Sequence, residues 1–277
     1  MKMNMSDKCL ACGEKMQFWG KVGEYNISVC PKCGFGKTDN PTIQGSGYHR
    51  DAVYQQESEQ FKNIFQRRIK LINSLNLKPG RVLEVGSSTG LLLSILKEKG
   101  WKVTGVEISS EAARYAERRG VSTLQIPIEE LNLPLKSFDL IIANHTLEHL
   151  QNPEEVLQKI HELLRDGGIL LIDVPNFGGF SARIFKKSWF ALLPQEHLWH
   201  FTFDSLSRIL KLSGFEVINH TSPSGVFDYG DPTKELWQSF IGFKKRFFTN
   251  MVTLLPNLLI TLLNDGATLT VLAKAKK

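Results

Sequence analysis

Beyond Cys33 the sequence contains no cysteine: all four fall within the first 33 of its 277 residues. Disulfide-held secreted folds distribute cysteines through their cores, so that class is excluded and a reducing, cytosolic setting is expected. No stretch of roughly 20 apolar residues occurs, which leaves no candidate for a membrane-crossing helix. The opening residues, Met1 to Cys9, lack the apolar segment of a signal peptide, and none is expected. Internal repeats and low-complexity tracts are missing as well. Charge of either sign is modest, with 34 basic and 28 acidic residues giving a net +6. That balance permits contact with nucleic acid or anionic lipid and demands neither. With 42% hydrophobic and 22% charged residues, the chain has the material for one ordinary folded domain and a small additional module.

The cysteines are informative through their spacing, Cys9-x2-Cys12 followed by Cys30-x2-Cys33. Each CxxC can turn both sulfurs toward a common point, so the two pairs supply four thiolates to one tetrahedral zinc ion. Gly34 follows the last of them, where a tight knuckle favours left-handed backbone. Between the pairs, residues 16–29 have strand composition, with Gly20 and Gly23 as the turn. The spacing predicts a zinc ribbon over residues 1–40, with Cys9, Cys12, Cys30 and Cys33 as ligands and a structural or docking role. Two disulfides or a redox pair are the alternatives. The CxxxCxxC pattern of iron–sulfur radical enzymes is missing.

After a polar stretch, a helix is predicted over Val53–Leu75, with Phe61, Ile64, Phe65, Ile69 and Ile72 at helical spacing. An alternation of strands and helices follows. Strands are expected at Arg81–Val85, Lys102–Glu107, Ser122–Gln125, Phe138–Ala143, Ile169–Val174, Phe215–Thr221 and Ala267–Ala273. Helices are expected at Leu91–Lys99, Ser110–Arg119, Pro153–Leu164 and Ser205–Ser213. This pattern indicates an α/β doubly wound sheet, in which ligands bind beyond the carboxyl ends of the strands. The first of these strands ends in Leu83-Glu84-Val85-Gly86-Ser87-Ser88-Thr89-Gly90, a glycine turn that lets a ligand approach the backbone at a helix start. The second ends at Glu107, placed to accept hydrogen bonds from ribose hydroxyls. The dehydrogenase fingerprint GxGxxG fails here, because counting from Gly86 gives Ser88 and Leu91 where glycines are required.

Four segments in order, VLEVGSSTG, VTGVEIS, SFDLIIANHTLEHL and LLRDGGILLIDVPN, resemble the class I S-adenosylmethionine (SAM)-dependent methyltransferases over roughly residues 65–221. The resemblance implies a Rossmann-like sheet of order 3-2-1-4-5-7-6 with the last strand antiparallel, in a domain spanning 41–277 with SAM as cofactor. It implies that Glu84, Gly86, Ser87, Ser88 and Gly90 line the methionine end of SAM and that Glu107 holds its ribose. Ile108 would flank the adenine, the segment 126–129 with Ile128 would close over the adenine edge, and Asn144 and His145 would border the reacting methyl. Many relatives carry an Asp beside the adenine amino group. Here Ile126 and Ile128 stand in that region, which leaves the contact to the backbone or Glu129. His145, Glu148 and His149 hint at a metal site, but no further ligand is evident, and the segment reads as a packing element behind the cofactor.

The acceptor side is expected to be built from the lead-in helix (41–75) and two inserts, 177–204 and 230–265. In the first insert, Glu196-His197 followed by aromatics can supply a general base, with a lid role as the alternative. A similar Glu-His pair occurs in sugar C-methyltransferases, which also carry a leading four-cysteine zinc segment but have a further C-terminal domain. Tyr48 and His49 are the replacement candidates. Without a cysteine outside the ribbon, pyrimidine 5-methylation through a thiolate has no nucleophile. Asn144-His145-Thr146-Leu147 also lacks the Asn/Asp-Pro-Pro-aromatic motif of enzymes that methylate exocyclic base amines. Oxygen or carbon on a small-molecule, sugar or lipid-linked glycan acceptor fits better. An RNA methyltransferase is the competing expectation, and the scattered Lys186-Lys187 and Lys244–Arg246 groups weigh against nucleic acid. The basic-then-apolar run over 243–263 suits a pocket cover or a homodimer interface first and a peripheral membrane contact second.

Overall fold

The computed structural model describes residues 8–41 and 58–277. Tyr48, His49 and the first residues of the lead-in helix therefore lie outside the described residues. The lead-in helix, α1, runs Ser58–Ser74. Then come β4 (Arg81–Val85), α2 (Leu91–Glu98), β5 (Lys102–Val106), α3 (Ser110–Arg118), β6 (Ser122–Leu124) and β7 (Phe138–Asn144). After α4 (Pro153–Leu163) and β8 (Leu164–Pro175) the chain makes α5 (Phe180–Phe185), β9 (Trp199–His200), α6 (Phe203–Leu212) and β10 (Phe215–Thr221). Three helices, α7 (Pro232–Ile241), α8 (Lys245–Val252) and α9 (Leu254–Leu262), precede the last strand, β11 (Thr268–Ala275). All seven expected strands and the four expected helices form, with ends moved by one or two residues except at β8, which begins five residues early.

The large sheet has the order β10-β11-β8-β7-β4-β5-β6. Counted within this domain that is 3-2-1-4-5-7-6, and β11 runs antiparallel to both neighbours. Strands buried on both faces read as continuous apolar runs, and the side chains here divide between two layers. Val82, Leu140, Ile142, Leu171 and Leu272 face α1 and α2, which contribute Phe65, Ile69, Ile72 and Leu92. Leu83, Ile141, Ala143, Leu170 and Val271 face α4 and α6, through Val156, Ile160, Leu206 and Ile209. The period of two along each strand thus places one helical layer on each side.

The ribbon is built from β1 (Gln17–Val22), β2 (Tyr25–Val29) and β3 (Gly36–Thr38). Gly23 makes the hairpin turn at φ +58°, whereas Gly20 pairs within β1 opposite Ile27. Gly34 takes the left-handed backbone expected of it, φ +71°. The fourth strand of this sheet is β9, from the insert after β8, with Gly36 opposite His200 and Lys37 opposite Trp199. Phe35 stacks on Trp199 at 5.4 Å and touches Phe201 at 5.5 Å. The ribbon is therefore joined to the acceptor-side insert as one sheet, a pairing that sequence pattern did not reveal.

Candidate active site

The carboxyl ends of β4, β5 and β7 meet at the edge of the sheet where the sequence resemblance implies the cofactor. Gly86 and Ser87 both donate their N–H to the carbonyl of Val106, which pins the loop after β4 onto β5. Gly86 has φ +70°, and a side chain there would meet Thr146 Oγ1 at 2.6 Å. Gly90, the residue before α2, has φ +69°, and a side chain would strike Ala116. Both positions demand glycine, on conformation and on space. Ser88 between them is left-handed as well, φ +45°.

Glu107 is buried and ties the edge together. Its Oε2 accepts from Ser88 N–H at 2.8 Å and its Oε1 from Ser109 N–H at 2.9 Å. Ile108 beside it is half-buried and Ile128 is buried in a short 3-10 turn, Ile128–Glu130. Glu84 lies below the loop, 3% exposed, with no hydrogen-bond partner for its Oε2. Burial, and then the charge of Glu107, push its pKa well above the ordinary carboxylate value. A buried, unsatisfied carboxylate beneath a glycine cradle suits the cationic methionine end of SAM, and Asn144, whose Oδ1 is also buried without a partner, closes the same edge. These residues fit the cofactor that the sequence implied.

Two expectations follow for a calorimetric titration with SAM. Glu107→Ala should weaken binding by about 1.5–3 kcal/mol, the usual loss for a hydrogen bond to a charged group. Unchanged affinity would mean that the ribose is held elsewhere. Because Glu84 has a raised pKa and the ligand's ammonium favours its ionised form, binding should release a proton and tighten as pH rises through that pKa. Identical heats in buffers of different ionisation enthalpy would exclude this.

Beside the cofactor edge lies a polar network that the sequence did not announce. His145 follows β7 in left-handed backbone, φ +50°, and its N–H donates to Asp173 O at 2.8 Å. Its Nδ1 donates to Glu148 Oε1 at 3.1 Å, and its Nε2 lies 3.5 Å from Asp173 Oδ1. The two carboxylates are 1% and 0% exposed, whereas the imidazole is 42% exposed. Burial works against a proton on His145, but the hydrogen bond and charge of Glu148, then Asp173, outweigh it and raise its pKa. For Glu148, burial likewise loses to His145, His149 and His197, and its pKa falls to about 2. Asp173 is anchored in turn by Arg68 at 2.9 Å and Thr270 Oγ1 at 2.6 Å, and Arg68 also reaches Asp228 at 3.1 Å.

His197 is placed behind this network rather than in front of it. Its side chain is 4% exposed and packs edge-on against His149, with ring centroids 4.9 Å apart. Glu196 is half-buried, and its carbonyl accepts from His149 Nδ1 at 3.0 Å. His200, from the same segment, is held by Thr38 of the ribbon at 2.8 Å, and burial followed by the charge of His197 lowers its pKa to about 3.

The four cysteine sulfurs converge. Sγ–Sγ separations are 3.4 Å for Cys9 and Cys33, 3.5 Å for Cys12 and Cys30, and 3.7 Å for Cys12 and Cys33. These are far longer than a disulfide and close to the roughly 3.8 Å edge of a tetrahedron with 2.3 Å zinc–sulfur bonds. None of the four is in a disulfide; burial raises the pKa of Cys9 and takes that of Cys33 to about 11, whereas for Cys30 burial is outweighed by backbone hydrogen bonds from Cys33 and Lys32 and the pKa falls.

A methyltransferase-domain family model matches residues 57–220. Phosphatidylethanolamine N-methyltransferase of Cereibacter sphaeroides is 30% identical over 66% of this chain and 93% of its own length. C-methyltransferase NovU of Streptomyces niveus is 27% identical over 51% of this chain and 34% of its own. The chain thus spans about a third to three-fifths of the first two curated relatives it matches. Among solved structures, Haemonchus contortus phosphoethanolamine N-methyltransferase 2, bound to phosphomonomethylethanolamine and S-adenosylhomocysteine, superposes with a TM-score of 0.59 at 16% identity. That match covers 93% of this chain and 70% of that one, and it shows the fold.

Proposed function

Since the chain belongs to the SAM-dependent methyltransferases, we propose that it methylates an oxygen or carbon of a phosphate-bearing sugar or lipid-linked glycan. The observation that carries this reading is His145, an exposed imidazole between two buried carboxylates at the methyl-transfer edge. SAM, when bound, supplies an activated methyl on a sulfonium. A hydroxyl or carbon acid must lose a proton as it accepts that methyl, and the residues must align it and take the proton. His145 takes it at Nε2, while Glu148 fixes the tautomer through Nδ1 and Asp173 stabilises the cation that results. His197 supports this group from behind and is the competing candidate for the base, with Glu196 placing the segment.

The acceptor class is supported by an open cleft of about 640 Å³ between the ribbon and α5. Lys186 and Lys187 line it with Trp19, Phe177 and Phe185, which suits a phosphate next to rings or apolar groups, while Arg183 at its wall is paired with Asp265. It adjoins the histidine cluster through Phe177, whose ring lies 5.2 Å from that of His200. A lipid-linked acceptor fits the helices α8 and α9, which bury no residue. Phe243, Phe248, Val252, Leu255, Leu259, Leu262 and Leu263 are all exposed, and no acidic residue occurs from Ile241 to Asn264. This argues against a closed pocket cover and for a peripheral contact with an anionic lipid surface. No helix among the described residues is long and apolar enough to cross a membrane.

RNA is the poorer acceptor because Arg246 is engaged by Glu235 at 2.7 Å, and Lys186-Lys187 and Lys244–Arg246 are short groups far apart in the sequence. Transfer of labelled methyl should reach sugar nucleotides or lipid-linked glycans presented in anionic vesicles. Deleting residues 243–263 should remove vesicle flotation while leaving SAM binding. Label that appears in RNA and is released by nuclease would overturn the assignment.

The ribbon, in this reading, carries one structural zinc on Cys9, Cys12, Cys30 and Cys33. Purified protein should contain cysteine-bound zinc that the double variant Cys9→Ser/Cys12→Ser loses, with a lower melting temperature. Retention of that zinc by the variant would rule the site out.

A further inference from the structure

We propose that Glu148, His149 and His197 hold a divalent transition-metal ion, at a site separate from the four cysteines. In the sequence His145, Glu148 and His149 hinted at a metal; the fold groups His197 of the insert, in place of His145, with Glu148 and His149. One ligand atom from each of the three residues lies within 4.8 Å of the others. Bond lengths of 2.0–2.1 Å put tetrahedral ligands about 3.3 Å apart, so the three atoms have about 1.5 Å at most to close on an ion. Glu148 is 1% and His197 4% exposed, and His149 is half-buried.

Three features of the surroundings point to a metal rather than to a plain hydrogen-bonded cluster. His149 Nδ1 lies 3.0 Å from Glu196 O. A carbonyl only accepts, so Nδ1 carries a hydrogen and Nε2 is the nitrogen that would meet the ion, the way backbone carbonyls orient metal-binding imidazoles. Glu148 divides its oxygens: Oε1 accepts from His145, while the buried Oε2 makes no hydrogen bond. Finally, the two ligand-bearing segments are clamped together. Leu198 N–H donates to Glu148 O at 2.9 Å, and Trp199 Nε1–H donates to Leu150 O at 2.7 Å.

Two imidazoles and one carboxylate suit zinc, iron(II) or cobalt(II) better than magnesium or calcium, and they leave a tetrahedral ion one open position. An ion on Oε2 would also hold Glu148 rigid behind His145. The site shares Glu148 with the proposed base, but metal content can be read whether or not that base assignment stands.

The full chain should be produced in cobalt-supplemented medium and its metal content and visible spectrum measured. The wild type should carry a second equivalent of cobalt beyond the cysteine-bound one. In Cys9→Ser/Cys12→Ser the thiolate-to-cobalt charge-transfer band should vanish, while weak ligand-field bands of nitrogen and oxygen coordination persist. In His149→Ala the opposite should occur, with the charge-transfer band kept and one equivalent lost. Glu148→Gln keeps the side-chain shape and serves where the alanine variant fails to fold, as judged by circular dichroism; it should also lose the second equivalent. A wild type with only the cysteine-bound equivalent, or a second equivalent that survives both His149→Ala and Glu148→Gln, would overturn the site.

Discussion

Replacing His145 by Ala is expected to lower turnover at saturating acceptor by about 10²–10⁴-fold, the usual worth of a general base, with a much smaller change in SAM affinity. The expectation rests on exposure and on partners. Of the imidazoles in this cluster, His145 is the exposed one, 42% open, and buried carboxylates stand at both of its nitrogens. Its left-handed backbone is uncommon for a residue with a β-carbon. Asparagine tolerates the same backbone and keeps a polar group for Glu148, but it cannot take a proton. His145→Asn should therefore show the turnover loss with a nearly unchanged melting temperature. His197→Ala provides the contrast. If His197 acts only through the proposed metal, its effect should equal that of His149→Ala, since both remove one ligand of the same ion. A loss in His197→Ala that exceeds both His149→Ala and His145→Ala would return the base to His197.

The sheet was legible because its signals are local. Val82 to Val85, Phe138 to Ala143 and Ile169 to Val174 are mostly apolar runs long enough for buried strands, and Gly86 and Gly90 mark a turn where a side chain cannot fit. Glu107 could be placed because it ends a strand at a fixed distance from that turn. The polar network was not legible, because its members are far apart in sequence and each has an ordinary explanation when read alone. Asp173 stood in the quoted segment LLRDGGILLIDVPN, an acid in an otherwise apolar strand, and that was the available signal: a charge in a central strand is buried and needs a partner. Its partner, Arg68, sits on α1 among Ile64, Phe65, Ile69 and Ile72, where helical periodicity alone places an arginine no better than a lysine at the surface. For His197 the sequence leaves base and lid both open, because burial depends on contacts made across the chain; the structure places it 4% exposed against His149, just before the strand that pairs with β3.

Arg68→Met is expected to destabilise the protein by about 3–5 kcal/mol, the cost of leaving one partner of a buried ion pair uncompensated. Arg68 is 2% and Asp173 0% exposed, so water cannot replace the missing guanidinium. Burial lowers the tendency of Arg68 to hold its charge, but Asp173 and then Asp228 outweigh it, and its pKa rises. For a chain of this size the loss corresponds to a fall in melting temperature of about 6–20 °C. Adding Asp173→Leu should recover part of the stability, because an apolar pair of similar volume needs no compensation. It should not recover activity, since Asp173 also stands 3.5 Å from His145 Nε2. Arg68→Lys separates charge from geometry. A lysine keeps the charge but lacks the planar fork that meets Asp173 through one nitrogen and Asp228 through the other. It should fall between wild type and Arg68→Met in thermal melts. An Arg68→Met variant that melts within about 2 °C of wild type, less than 1 kcal/mol for a chain of this size, would show that Asp173 does not depend on Arg68, and the stabilising role assigned to this pair would be withdrawn.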